Sequence, residues 1–371
     1  MDFAFTEDQL MIQELAEKII ADRCHDEFQR EFAQQPQRYD PVLWSRLAEA
    51  GLLGLNLPEN CGGMALGFAE LCLLLQAQGK HLGPAPLYAT LVLGALPIAK
   101  FGSTSLQQRY LPEVATGKCL LSALVDARNL QRPKFQAEVT DDGWNLNGIC
   151  DAVPFGVDAH CFVVPVSTPQ GIEVLVVDAD VQGISRWDQR GAQAQARVQL
   201  ENVHVGKDAR INEEGKAADV LAWWQPRILT ALSAIQVGVA TEALRRTAEY
   251  TGERKQFGKP VASFQAVAHR AADAYMDIEA MSATLWQAVW RLDQELEAAR
   301  EVHTAKWWAC EGGHRIAHTA QHLHGGMGAD VDYPIHRFFL WAKQLEFNGG
   351  GASVQLSNLG CEIANRPADF T

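Results

Sequence analysis

The sequence predicts an α+β chain whose β part lies in the middle. Three observations carry that reading. Apolar residues recur at helical spacing over residues 1–118. Between residues 119 and 215 the texture changes to short apolar runs broken by turn residues. From residue 216 the helical period returns and holds almost to the end of the 371 residues. Helical, then β, then helical is not the βαβ alternation of a doubly wound dinucleotide fold, which is therefore disfavoured.

Each element has its own signal. Thr6 is placed to cap a helix through Leu10, Ile12, Leu15, Ile19 and Ile20, with Glu7 and Asp8 in its first turn. A second helix is predicted over Val42–Ala50, stopped by Gly51. Leu55 to Gly67 is dense in Pro and Gly and reads as a loop. Helices follow over Phe68–Gln78, ended by Gly79, and Leu87–Phe101. The middle segment offers apolar runs at Leu120–Val125, Trp144–Leu146, His160–Val166, Glu173–Val177 and Ala196–Leu200. Asp141-Asp142-Gly143 and Pro169-Gln170-Gly171 serve as turns. Long helices are then predicted over Ala217–Gly252, Ser263–Leu296, Glu301–Leu323 and Pro334–Phe347. The apolar positions Ile228, Leu229, Leu232, Ile235, Val237 and Val239 cover more than one face, as in a bundle helix buried on several sides.

Composition narrows the function classes. Apolar residues make up 47% and charged residues 21%, the balance of an ordinary globular protein. Thirty-two Lys and Arg against 45 Asp and Glu give a net charge of −13, which disfavours a broad grip on nucleic acid. No run of eighteen apolar residues suggests a membrane span, and the acidic start lacks the features of a signal peptide. None of the eight cysteines stands at C-x-x-C spacing, so zinc knuckles are not expected, and reduced thiols in a cytoplasm are.

Several ordered blocks resemble the acyl-CoA dehydrogenase family over essentially the whole length. They are the opening MDFAFTEDQ, the stretch from Leu53 to Leu87, the FGSTSLQQRYLPEVATGK segment, RKQFGKPVASFQ from Arg254 to Gln265, and LHGGMG from Leu323 followed by DYPIHR. The resemblance implies an N-terminal helical domain (1–118), a β-barrel-like middle domain (119–215) and a C-terminal four-helix bundle (216–371). It also implies FAD, an acyl-CoA substrate and electron-transfer flavoprotein as acceptor. Arg254, Gln256, Phe257, Gln265, Gly325 and Gly326 match the motif that closes the phosphate and adenine end of an FAD held mainly by the neighbouring subunit. A guanidinium can fork onto two phosphate oxygens, and glycines expose backbone N–H groups to an anion.

The chemical residues are missing. The family's base is the Glu of an I-Y-E-G-T segment, and a gap-free alignment from Tyr333-Pro334 puts Gly349 there, in a run of three glycines expected to be flexible. A minority of members carry the Glu on the helix before the R-x-Q-F-G motif, and that position is Pro226. The T-E-P stretch that bonds the flavin ring reads Val125-Asp126-Ala127. In the G-x-K-x-W-I-T-N stretch the ring-packing Trp becomes Ala152 and the hydroxyl residue becomes Pro154. The Gln of Q-x-x-G-G becomes His322. This split resembles a branch of unequal-subunit assemblies acting on bulky substrates such as steroid side-chain acyl-CoAs, a likeness extended by Val153–Gly156. One chain there carries the base and its homologous partner completes the FAD site. A heterotetramer whose lone subunit is inactive is the expectation.

Other readings remain open from the residues. A self-sufficient flavoenzyme such as a monooxygenase needs no α-proton base, and a non-catalytic acyl-CoA-binding subunit needs none either. Glu346 is a candidate displaced base and Asp126 a candidate catalytic carboxylate. His314, His318 and His322 recur on one helical face, where a polar stripe is favoured over a metal site. The pairs Trp223-Trp224 and Trp307-Trp308, with Trp286 and Trp290, are core residues or an acyl-cavity lining.

Overall fold

The structure, a computed structural model, describes residues 4–189 and 191–365. Four helices come first: α1 (Glu7–Arg23), α2 (Asp26–Phe32), α3 (Pro41–Glu49) and α4 (Phe68–His81). A π-helical stretch (Tyr88–Ala95) runs directly into α5 (Leu96–Phe101), and α6 (Thr104–Ala115) follows. The strands are β1 (Leu121–Ala123), β2 (Phe135–Val139), β3 (Gly143–Pro154), β4 (Cys161–Thr168), β5 (Gly171–Asp178), β6 (Ile184–Gln189) and β7 (Gln195–Gly206). Then come α7 (Ala217–Glu253), the short strands β8 (Lys255–Gln256) and β9 (Lys259–Pro260), α8 (Gln265–Asp293), α9 (Ala299–His324), α10 (Ile335–Phe347) and α11 (Ala352–Asn365). The chain forms two compact units: Gln37–Leu71 with Pro84–Ile228, and Met1–Pro36 with Cys72–Gly83 and Leu229–Thr371.

In the first of these units the strands form one mixed sheet in the order β1-β4-β2-β3-β7-β6, with β5 also paired to β4. The expected barrel-like element is thus a mixed sheet. Strand β4 pairs in parallel with β1 (Leu121 opposite Cys161) and β2 (Phe135 opposite Val166), and antiparallel with β5. Its core is apolar: Phe135, Leu146, Phe162, Val164, Leu175, Val198 and Val203 are inaccessible or nearly so. Strand β3 shifts register between Cys150 and Val153, where Ala152 takes φ +58°.

The second unit holds α1, α2 and α8–α11, with parts of α4 and α7. Thr6 caps α1 as expected: its Oγ1 accepts from the Gln9 N–H at 3.2 Å, and Gln9 Oε1 accepts from the Thr6 N–H at 3.1 Å. Helix α4 does not stop at Gly79. A Cβ there would lie 2.0 Å from the Ile235 carbonyl oxygen, so Gly79 is a contact point with α7, not a terminator. Gly238 is its counterpart, where a Cβ would lie 2.0 Å from the Gln76 carbonyl oxygen. Two glycines let the helix backbones touch. Helix α7 is long and apolar enough to cross a membrane, but 94% of its most apolar window is buried inside the chain, as in a core helix.

Helices α2, α6 and α11, strands β2 and β6, and the β8–β9 pair were not legible as elements. For α2, α11 and β6 the reason is burial: only Phe28 of α2 and Gln355 of α11 are buried, and β6 has no buried residue, so these three present little apolar face. Helix α6 buries Leu106, Tyr110, Leu111 and Val114 and β2 buries Phe135 and Ala137, so their apolar faces were present in the sequence and were overlooked.

Candidate functional site

The Arg254 motif begins where α7 ends. The Arg254 N–H donates to the Tyr250 carbonyl and its carbonyl accepts from the Val261 N–H, both at 2.8 Å, closing a hairpin. Its two-residue loop, Phe257-Gly258, has φ of +53° and +79°, the left-handed pair that such a tight hairpin requires. Glycine takes this freely. Phenylalanine does not, yet Phe257 stands 93% exposed at the tip, touched edge-on by Phe264 at 6.3 Å between ring centroids. Arg254, Gln256 and Gln265 are also exposed.

Gly325 and Gly326 follow the end of α9. A Cβ on either would meet nothing within 4 Å, so their backbone faces open space. The residue before them, His324, is buried, stacks on Tyr250 at 4.4 Å and meets the Tyr333 ring at a tilt at 5.3 Å. The Tyr250 hydroxyl donates to the His324 carbonyl at 3.4 Å. Tyr250 therefore ties the Arg254 hairpin to the glycine turn, bringing together two motifs about 70 residues apart. Sequence reasoning missed Tyr250, His324 and Tyr333. The available signal was an aromatic one turn before Arg254 and another ring directly before the glycines. His324 Nδ1 lies 2.8 Å from the Ala320 carbonyl, while its Nε2 is buried without a partner. Burial holds this imidazole below its ordinary pKa.

Gly349 is buried at φ +75°. A Cβ there would lie 2.7 Å from Leu229 Cδ2, 3.2 Å from Leu232 Cδ1 and 3.8 Å from Lys306 Cε. The loop around it is not flexible, contrary to the expectation from its three glycines. Gln355 Nε2 donates to the carbonyls of Gly349 (2.8 Å) and Gly350 (3.3 Å). Fully buried Lys306 donates to the Leu345 carbonyl at 2.7 Å, and the Cys310 thiol donates to the Glu346 carbonyl at 3.3 Å. Side chains from α9 and α11 thus satisfy the carbonyls that a glycine run leaves free. Pro226, the second position the resemblance offers for a base, lies inside α7 beside buried Arg227, whose guanidinium sits 3.9 Å over the Trp223 ring.

The stretches matched to the flavin ring lie in the sheet-bearing unit. Ala152 is exposed on the register shift of β3, and its N–H donates to Gln189 Oε1 at 3.0 Å. Ser122 donates to the Pro154 carbonyl at 2.6 Å. Neither Ala152 nor Pro154 presents an aromatic face or a side-chain donor. Asp126 is clamped by Arg128 through Nε (2.8 Å) and Nη2 (2.6 Å), and those hydrogen bonds hold its carboxyl below the usual range.

The remaining candidates are held by neighbours. Glu346 Oε2 takes hydrogen bonds or close approaches from Lys343 Nζ at 2.5 Å and His314 Nδ1 at 3.2 Å. The His314 and His318 rings meet at a tilt at 4.3 Å, and among the described residues no three His, Cys, Asp or Glu side chains converge as metal ligands. Trp224 is fully buried and donates to the Val92 carbonyl at 2.9 Å. Trp223 meets Phe101 edge-on at 5.3 Å, Trp286 meets Phe5 at 4.7 Å, and Trp307 meets Trp308 at 5.1 Å.

Known proteins resemble this chain along its whole length. Residues 6–118 match the sequence model of the acyl-CoA dehydrogenase N-terminal domain, and residues 226–363 that of the C-terminal domain. Acyl-CoA dehydrogenase FadE27 of Mycobacterium tuberculosis is 38% identical, covering 99% of this chain and 100% of its own. A chain of the ChsE4–ChsE5 complex from the same organism superposes with a TM-score of 0.94 at 38% identity, over 99% of this chain and 100% of that one. A chain of the Tcur3481–Tcur3483 steroid ACAD variant superposes with a TM-score of 0.90 at 40% identity, over 97% and 98%. The full-length match in sequence, with helical ends around a β middle, makes this chain a member of the acyl-CoA dehydrogenase family of oxidoreductases.

Proposed function

We propose that this chain is the base-less subunit of a heteromeric acyl-CoA dehydrogenase that desaturates a bulky acyl-CoA, a steroid side-chain thioester being the favoured class. The observation that carries the proposal is Gly349. The base position has no side chain, and the space one would enter is occupied by Leu229 and Leu232. A carboxylate within reach of the substrate's α-proton must then come from a homologous partner chain. Two similar assemblies with paired names, ChsE4–ChsE5 and Tcur3481–Tcur3483, support an unlike partner, and the latter, a steroid ACAD, supports the substrate class.

The residues fit one end of FAD and not the other. Exposed Arg254, Gln256 and Gln265, the protruding Phe257, and the open backbone of Gly325 and Gly326 suit the phosphate and adenine end. Ala152 and Pro154 do not suit the isoalloxazine. Bound FAD would accept the β-hydride. This chain's own contribution would be to grip the far end of the cofactor and to close the complex. Electron-transfer flavoprotein is the proposed acceptor. The division into domains 1–118, 119–215 and 216–371 is proposed with it, supported by strands confined to the middle segment apart from the short hairpin. The cytoplasm is the proposed location, supported by eight cysteines all present as thiols.

The test compares the lone chain with the chain co-expressed beside a homologue carrying the Glu. The flavin-to-protein absorbance ratio after gel filtration and desaturation of short, long and steroid acyl-CoAs are measured. The lone chain should be nearly colourless and inactive, and the complex yellow and active. Stoichiometric FAD with turnover on the lone chain would instead favour the self-sufficient flavoenzyme. A colourless, inactive chain in both preparations would favour the non-catalytic subunit.

A further inference from the structure

The residues suited to the phosphate end do little to fix their own geometry. Arg254, Gln256 and Gln265 are exposed, and a Cβ added to Gly325 or Gly326 would meet nothing within 4 Å. They also come from separate segments, the end of α7 and the end of α9. Three rings lie behind them. Tyr250 stands one turn before Arg254, and His324 stands directly before Gly325. These two rings stack at 4.4 Å with 21° between their planes. Tyr333, from the segment leading into α10, meets Tyr250 edge-on at 6.0 Å and tilts against His324 at 5.3 Å.

The glycine turn is held at the peptide that opens it. The Tyr250 hydroxyl donates to the His324 carbonyl at 3.4 Å, and the Gly325 N–H of the same peptide donates to the His322 carbonyl. A planar peptide held at both groups cannot swing. The chain then leaves at φ +58° and ψ −134°, a conformation open to glycine and strained for other residues. His324 is pinned as well. A carbonyl only accepts, so Nδ1 donates to the Ala320 carbonyl at 2.8 Å. Beyond the glycines, Gln321 Nε2 donates to the Gly328 carbonyl and folds the turn back onto α9.

Resting on the reading that this chain grips the far end of FAD, we propose that Tyr250, His324 and Tyr333 are positioning residues of that grip. Their stack sets the spacing and angle between the Arg254 hairpin and the glycine turn, so that both close on one dinucleotide. The rings themselves touch no part of it. The gain is preorganisation. A guanidinium forks onto phosphate oxygens only over a narrow range of directions, and a grip already in place loses little freedom on binding. A stack that only filled a core would stabilise the fold and leave the cofactor affinity of the folded complex unchanged.

The test uses this chain assembled with a homologue carrying the Glu. The complex is stripped of flavin and titrated with FAD, followed by quenching of flavin fluorescence, below the thermal midpoint of each variant. Arg254→Ala should weaken FAD binding roughly ten- to a hundredfold. Tyr250→Ala should weaken it about tenfold. The double variant should lose clearly less than the product of the two, because a misplaced guanidinium and a missing one forfeit the same bond. His324→Ala should match Tyr250→Ala, and His324→Phe, which restores the stack, should recover most of the loss. Should Tyr250→Ala not fold, Tyr250→Phe keeps the ring and carries the same cycle with a loss of roughly threefold. Losses that multiply in full in the double variant overturn the positioning role. So does unchanged affinity in the Tyr250 and His324 variants while Arg254→Ala loses FAD. If Arg254→Ala itself binds FAD as before, the grip reading falls, and the positioning role falls with it.

Discussion

At the scale of one residue, Gly349 carries the proposal that this chain supplies no base. A substitution to Glu must adopt φ +75° and place its Cβ against Leu229. Overpacking of this kind costs about 1–3 kcal/mol. The new carboxylate would also meet Lys306, an opposite charge that lowers its pKa and makes it a poorer base. Gly349→Glu should therefore lower the denaturation midpoint and give no desaturation in the lone chain; clear turnover in an acyl-CoA assay would show the site intact. His324 supplies a second residue-scale prediction. Its folded pKa is depressed by burial, so the unfolded state binds the proton more readily. The stability it contributes is fully present above about pH 6.5, the ordinary histidine value, and is lost as pH falls toward the depressed value. The thermal midpoint should drop below pH 6.5, and His324→Phe, which keeps a ring in the stack, should flatten part of that drop. His81 and His318 are lowered by burial too and account for a remainder.

At the scale of elements, α4 and α7 cross on glycine. Gly238→Ala would drive a methyl to 2.0 Å from the Gln76 carbonyl oxygen, a contact with backbone that no rotamer change relieves. We expect a loss of about 1–3 kcal/mol in chemical denaturation. Gly252→Ala, on the same helix with nothing within 4 Å, should be neutral or gain about 0.5–1 kcal/mol from helix propensity. Opposite signs at two glycines of one helix would separate packing from propensity. The same comparison explains what the sequence could reveal. Helices α1 and α7 were readable because caps and apolar faces are local. Gly79 was misread as a helix end because its reason for being glycine lies in α7, more than 150 residues away. Tyr250 and His324 were invisible as a unit for the same reason, whereas Arg254, Phe257 and Gly325 stood in contiguous motifs. The glycine at the position proposed to lack the base was legible because a residue at a fixed spacing needs no tertiary contact to be seen. The clamp of Lys306, Cys310 and Gln355 that immobilises its loop was not.

At the scale of the whole molecule, the residues proposed for the phosphate end and those matched to the flavin-ring stretches belong to different units. Arg254→Ala should act on cofactor retention and leave folding alone. A charge-assisted hydrogen bond to phosphate contributes about 1.5–3 kcal/mol, roughly ten- to a hundredfold in affinity. Flavin retained by the assembled complex should fall by that factor while the thermal midpoint of the lone chain stays put. A midpoint that falls with no change in retention would make Arg254 structural. Phe257, finally, has a consequence for supply. Its ring sits at the tip of a two-residue loop with 93% of its surface in water, and burying such a ring contributes about 1.5–3 kcal/mol. Under the proposed pairing, a copy made in excess of its partner carries that ring uncovered. It is prone to associate with whatever apolar surface it meets, and it offers proteases and chaperones a ready mark of incompleteness. Balanced synthesis of the two chains thus becomes a condition of yield, and overproducing this one alone should enrich aggregates more than enzyme.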